Sequence, residues 1–284
     1  MSVSELRWDN ISGPAVSWLD FNFRELFSYR DLFKQYIYRN FVANYKQSIL
    51  GPLWFLIKPA LTTIVFTVVF GRIAKISTGA VPTAVFYMAS TIIWSFFSTC
   101  LSSAANTFNA NSNVFGKVYF PRLIIPLAEM VSPLIPFGAH FLVFFGLYGF
   151  YVFQGQVDVS GLALLFLLPL VLLQAIITAL GMGLLFASLT TKYKDLLFLI
   201  DFITQLWMYV TPVVYPIAQI PDGFKWVCLL NPMTGVMELS RKIFFNVFEM
   251  SLSGYFLNFG LALLFCLVGL IFFNKIEKTF IDTL

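Results

Sequence analysis

The sequence is short of charge. Only 11% of its 284 residues are Asp, Glu, Lys or Arg, against about 25% in soluble domains. The formal charge of +4 is modest and the cations are scattered, which argues against a nucleic-acid footprint. There is one histidine, His140, and the three cysteines Cys100, Cys228 and Cys266 lie far apart without C-x-x-C or Cys/His ligand spacing. That speaks against a zinc site or a disulfide framework. A phosphate-binding loop of the form G-x-x-x-x-G-K-[ST] is missing: Gly116-Lys117 has Asn111 where the first glycine belongs and Val118 after the lysine, so ATP, if used, is bound elsewhere. The polar, aromatic start, Met1 to Ser48, has no short apolar region with a small-residue cleavage site, so no signal peptide is expected. Paired carboxylates, a histidine cluster and a nucleophile constellation are also lacking, which disfavours a membrane-embedded enzyme. Internal repeats and midplane charges, the marks of an ion-coupled secondary transporter, are not found either.

What is present is apolar. Hydrophobic residues make up 59% of the chain and come in blocks long enough to cross a bilayer, which takes about 20 residues. Hydropathy windows predict an all-α polytopic membrane protein with six transmembrane helices near 50–72, 84–106, 126–152, 162–188, 196–214 and 254–274. Breaks fall at Gly149–Gly161 and Ser188–Asp195. Cations set the expected orientation. With both termini inside, Arg7, Arg24, Arg30, Lys34, Arg39, Lys46, Lys117, Arg122, Lys192, Lys194, Lys275 and Lys278 are cytoplasmic. Arg72, Lys75, Lys225, Arg241 and Lys242 are outside, and Lys58 lies near the inner end of the first helix. An even number of spans agrees with this bias.

Ahead of the spans, Phe23, Leu26, Phe27, Phe33, Ile37 and Phe41 share one face of a helix expected over Asp20–Asn44. It reads as an amphipathic interfacial helix with its aromatics in the headgroup boundary; the alternative is a helix of a small cytoplasmic subdomain. The expected domains are an interfacial segment 1–48 and a transmembrane domain 49–284, with a coupling loop at 107–125 and an outer gate region at 211–253. In the gate region Pro212 and Pro216 forbid a regular helix, so re-entrant outer gate helices are expected before the last span, one starting at Asn231-Pro232 and running to about Phe248. Glu129 and Asp201 lie near predicted inner ends, where they snorkel or pair with Arg122 or Lys194. His140, placed mid-span, reads first as a packing residue.

The run Tyr45-Lys46-Gln47-Ser48-Ile49-Leu50-Gly51-Pro52-Leu53-Trp54, then Lys58-Pro59 and Val69-Phe70-Gly71-Arg72, resembles type-2 ABC exporter permeases that export polysaccharides: O-antigen, capsule and teichoic acid. Lys117-Val118-Tyr119-Phe120-Pro121-Arg122 with Pro126, and Asn231-Pro232-Met233 with Arg241, continue the likeness in family order. The chain departs from it at Arg39-Asn40-Phe41, where the family often has Arg-Asp-Phe, and at Asn44-Tyr45-Lys46, where it often has Arg-Tyr-Lys.

The resemblance implies a non-enzymatic transport subunit in the bacterial inner membrane. It implies a homodimer of this chain, in contact with membrane lipid, that takes two copies of a separate nucleotide-binding ATPase subunit and moves a lipid-linked glycan. No cofactor is expected on this chain; ATP and Mg belong to the partner. Export of teichoic acid, or of a drug or small lipid, is the alternative in the same superfamily. Leu50, Gly51 and Pro52 would form an entrance loop, or a plain elbow. Phe115, Lys117, Tyr119, Phe120 and Arg122 would couple to the ATPase; the alternative is a buried loop between spans. Aromatic candidates for the substrate channel are Trp54, Phe66, Phe70, Tyr87, Trp94, Trp207, Tyr209 and Tyr215, each with packing or an interfacial belt as the alternative.

Overall fold

The computed structural model describes residues 28–45, 51–115, 120–159, 165–193 and 195–280, and all its regular elements are helical. In chain order they are α1 (Arg30–Tyr45), α2 (Trp54–Phe66), α3 (Thr83–Ala105), α4 (Thr107–Phe115), α5 (Ile124–Val131), α6 (Leu134–Phe153), α7 (Leu168–Lys192), α8 (Leu196–Val210), α9 (Lys225–Leu230), α10 (Pro232–Phe245) and α11 (Leu252–Phe280). Five segments are long and apolar enough to cross a membrane: Trp54–Ile73, Thr83–Ala105, Ile124–Phe153, Leu165–Thr191 and Leu252–Ile276. The sixth apolar helix, α8, has 15 residues. At 1.5 Å per residue it is about 22 Å long, shorter than the ~30 Å hydrocarbon layer. It ends at Val210 because Pro212 supplies no backbone donor to extend it.

Successive spans run antiparallel, which gives the molecule a proximal face, where α1 lies, and a distal face. The centre is α7, which packs along α3 and α11. Its crossing with α11 depends on missing side chains: a Cβ on Gly181 would overlap backbone atoms of Phe265 and Cys266, and one on Gly269 would overlap backbone atoms of Gly181. Two helix backbones meet there directly, the close approach that small residues permit inside membranes. α3 is the most enclosed span, with Val85, Tyr87, Phe97, Cys100 and Leu101 fully hidden.

Several predicted boundaries move for local reasons. The first span begins at Trp54, after a 3-10 turn at Gly51–Leu53, and finishes in a π-helical stretch over Thr67–Ile73. The third is two helices, since Pro133 interrupts the ladder between α5 and α6. The fourth continues past Ser188 to Lys192. There the hydroxyls of Thr190 and Thr191 donate to the Ala187 carbonyl at 3.1 and 2.9 Å, so polar residues stay inside the helix. The gate helix α10 stops at Phe245, before the predicted Phe248, because Asn246 adopts a left-handed conformation (φ 56°) and its N–H bonds back to Lys242.

The N-terminal helix is found as α1, and its apolar stripe meets protein. Tyr36 is buried, Leu32, Phe33 and Ile37 are half-buried against the core, and α1 packs on α5. Protein thus covers part of the stripe expected to meet the headgroup boundary. Residues 20–27 and the side chain of Phe41 lie outside the described residues.

Candidate functional site

Two polar clusters stand out in this apolar molecule. The distal one is built on α10. Asn231 caps its N-terminus: its Oδ1 accepts from the Met233 amide at 3.1 Å and from Trp207 Nε1 at 3.1 Å. Its Nδ2 donates to Thr211 Oγ1 at 2.8 Å. One asparagine thus ties the start of α10 to the broken end of α8. Pro232 follows at the first helical position, where its missing N–H costs nothing. Asn258 of α11 accepts from Gly235 N at 2.7 Å and donates to Leu229 O at 2.6 Å, while Gln174 of α7 donates to Pro232 O at 3.1 Å.

Deeper in the same hairpin, Arg241 and Glu238 form an ion pair at 2.8 Å with side chains 3% and 0% exposed. The second guanidinium nitrogen donates to the carbonyls of Pro212 and Tyr215 (3.1 Å to the latter). Its carbon lies 4.6 Å from the Phe86 ring centroid. Glu238 Oε2 accepts from Glu249 N at 2.8 Å. Prolines at 212 and 216 leave this turn outside any helical ladder, and Arg241 satisfies two of its carbonyls. The loops close over the top. Gln219 Nε2 donates to Ser77 O, Glu249 accepts from Ala218 N at 2.7 Å, and the Tyr215 hydroxyl donates to Tyr209 O at 2.8 Å. At the rim the Lys225 ammonium, 2.6 Å from Asp222, holds that exposed carboxyl below the usual carboxylate range.

The proximal cluster joins α1, α4 and α5. Arg39 donates to Asn111 Oδ1 at 3.0 Å and its guanidinium sits 4.1 Å over the Tyr36 ring. Asn40 Nδ2 donates to Glu129 Oε1 at 2.9 Å. Burial pushes the Tyr36 hydroxyl above its ordinary pKa, partly opposed by Arg39. Asn111, whose Nδ2 donates to Thr107 O at 3.0 Å, is also where α4 kinks (φ −120°, ψ 16°). Asp201 is likewise engaged, accepting from Ser102 Oγ at 3.0 Å.

The expected site residues distribute as follows. In the entrance loop Gly51 takes φ +48°, a left-handed conformation that suits glycine, and Pro52 lies in the 3-10 turn. Leu50 lies outside the described residues, as do Lys117, Tyr119 and the side chain of Phe115. Phe120 and Arg122 are buried, at 5% and 7% exposure. Phe120 belongs to the buried apolar core of the single chain.

The aromatic candidates separate into two groups. Phe66, Phe70 and Tyr87 pack together with centroids 5.2–6.3 Å apart, and Trp94 and Trp207 pack with Phe97. Tyr87 and Trp94 are enclosed by the chain itself, so the channel-lining expectation is corrected for these two in this conformation. Trp54 and Tyr209 keep exposed faces, and Tyr215 is half-buried. His140 falls near the middle of the Ile124–Phe153 span, as expected, with its ring edge-on to Phe55 of α2 at 6.4 Å. Sequence reasoning missed Glu238, Gln174 and Asn258; of these only Glu238, three residues before Arg241, left a spacing signal.

Comparison with known proteins agrees with this architecture. The family model described as ABC-2 type transporter matches residues 31–245. An O-antigen export system permease protein, RfbA, of Klebsiella pneumoniae is 26% identical over 243 residues, covering 85% of this chain and 90% of that protein. A protein of the same name from Myxococcus xanthus is 28% identical over 226 residues, covering 78% and 84%. A family match over well more than half the chain, on a fold of antiparallel apolar spans, settles the class: the chain belongs to the ABC-2 type transporter family of membrane permeases.

Proposed function

We propose that this chain is the membrane subunit of an ATP-driven exporter that carries a lipid-linked polysaccharide of the O-antigen kind across the bacterial inner membrane. The observation that carries the reading is the likeness, over 84–90% of their length, to proteins named O-antigen export system permeases. In this reading two copies of the chain enclose the path and two copies of a separate ATPase dock on the proximal face, which is cytoplasmic. The cation bias of the sequence supports that orientation. The chain itself performs no hydrolysis.

On this reading the proximal cluster is the input. The loop containing α4 receives the ATPase, and the Arg39–Asn111 and Asn40–Glu129 bonds hold α1 and α5 to it. The distal hairpin, α9 and α10, is the outer gate, clamped by Glu238 and Arg241. The test is to co-express the tagged chain with the ATPase subunit encoded beside it and to purify on the tag. Co-purification of an active ATPase, with activity lost on changing Phe115 and Tyr119, is the expected result. A chain that purifies alone and moves solute on an ion gradient would overturn the reading.

A further inference from the structure

The most enclosed span leaves one surface open, and that surface is polar. Between Trp94 and Asn106 of α3, the residues that the chain does not bury are Ser95, Ser98, Thr99, Ser102, Ser103 and Asn106. Every apolar residue of the same stretch is buried. Ser95, Thr99, Ser102 and Asn106 recur at i, i+4, i+7 and i+11, so they form a column on one face. At 1.5 Å per residue the column is about 16 Å long and reaches from the proximal end of α3 to mid-span. A surface against hydrocarbon is apolar, because hydroxyls and amides find no partner there. Thr99 satisfies its hydroxyl on Ser95 O at 2.7 Å, which lipid tolerates. The groups beside it are harder to place in lipid.

The neighbouring helix α8 adds a carboxylate and an amide. Asp201 accepts from Ser102 Oγ at 3.0 Å, and Gln205 stands one turn further along the same face of α8. Both are exposed, and none of the ion pairs among the described residues involves Asp201. Next to Ser95, Trp207 of α8 packs edge-on against Trp94 and Phe97, so the two helices meet tightly at that end of the column. A carboxylate at membrane depth faces water or a partner. Hydroxyls, amides and one carboxylate match the hydroxyl groups of sugars, which donate to carboxylate oxygens in strong hydrogen bonds. The same carboxylate repels an anion that comes close.

We propose that the α3–α8 column faces the aqueous path and binds the hydroxyls of a neutral sugar chain, with Asp201 disfavouring chains that carry a negative charge in each repeat. This rests on the export reading above and narrows it. Like charge placed against a competing cargo is a source of specificity, and it selects against polyanionic chains, teichoic acids included.

The first arm of the test asks what the column faces. In inverted membrane vesicles holding the full chain and its ATPase, Ser95→Cys, Thr99→Cys and Ser102→Cys are treated with methanethiosulfonates bearing a trimethylammonium or a sulfonate group. Labelling of the unmodified chain is subtracted. All three positions should react with the cationic reagent, including Ser95→Cys at mid-span. Asp201→Asn should lower the cation-to-anion rate ratio at Ser102→Cys about tenfold, the effect of one unit charge at roughly 6 Å in water. Asp201→Glu should keep the ratio, and continued protection of the buried Cys228 shows that the fold is intact. If Ser95→Cys and Thr99→Cys are silent to both reagents, the column lies against lipid or a second copy and the site is overturned. An unchanged ratio in Asp201→Asn overturns it as well.

The second arm compares export of two lipid-linked glycans, one neutral and one with a uronic acid in each repeat. The unmodified chain should favour the neutral glycan by about tenfold, and Asp201→Asn should narrow that preference. The same preference in both chains overturns the selectivity. Export of neither glycan, with labelling as expected, removes the export reading. Export with a silent column removes this site alone.

Discussion

The two polar clusters solve the same problem by different physics. At the proximal face, α1, α4 and α5 are joined by neutral or singly charged hydrogen bonds among partly exposed groups, with Asn40 giving one amide proton to Glu129 and Arg39 one to Asn111. Each such bond is worth about 0.5–1.5 kcal/mol net, more where a charge takes part, and can be broken and remade. At the distal face a wholly buried ion pair holds a turn that prolines have detached from any helix. That arrangement contributes little net stability when intact but is costly to break in half. The contrast teaches a division of labour: the proximal joints are suited to repeated adjustment, whereas the distal clamp favours one arrangement.

The largest effect is expected from breaking the distal clamp on one side. Arg241→Leu leaves Glu238 buried and uncompensated and should cost about 3–5 kcal/mol. It should be read as a lower unfolding midpoint and as maleimide labelling of Cys228, which is buried in the intact hairpin. Protection of Cys228 equal to that of the unmodified chain would show that the clamp does not hold the hairpin. Next in size is the α7–α11 crossing. Gly269→Ala forces two backbones apart and should cost about 1–3 kcal/mol, measured by thermal unfolding in lipid nanodiscs.

A smaller and local effect is expected at the proximal joint. Asn40→Asp places a second carboxyl against Glu129 where an amide now donates, and removes the 2.9 Å bond. Global stability should fall by only about 1–2 kcal/mol. Limited trypsin digestion at Arg39 should accelerate, because α1 is released from α5. Equal global loss at both faces would erase the distinction drawn between them. Smallest of all, Asp222→Asn removes an exposed pair and should leave the unfolding midpoint unchanged, as isolated surface pairs do.

How far the sequence foretold this molecule depends on what kind of signal each feature left. The span over Thr83–Ala105 was legible within one residue at each end, because a long uninterrupted apolar run has no other stable reading in lipid. The start of α10 at Asn231-Pro232 was legible too, since a capping side chain followed by proline is local chemistry. The covering of α1 was not. Periodicity reports that Phe33 and Ile37 share a face, but only the tertiary fold decides whether lipid or α5 lies against it. Residues Gln174 and Asn258 escaped for the same reason, as isolated amides in apolar spans whose partners, Pro232 O and Gly235 N, lie far away in sequence. Phe120 and Arg122 were expected on a docking surface because their neighbours along the chain suggested one, and their burial depends on contacts that no local pattern encodes.

The most direct test of the account is transport itself. Inverted inner-membrane vesicles carrying this chain, its ATPase and a radiolabelled lipid-linked O-antigen would be given ATP, and the labelled glycan protected from an added glycosidase would be measured. The account predicts ATP-dependent protection that is lost in Arg241→Leu and in vesicles lacking the chain. Protection that needs no ATP, or that proceeds equally without the chain, would contradict it.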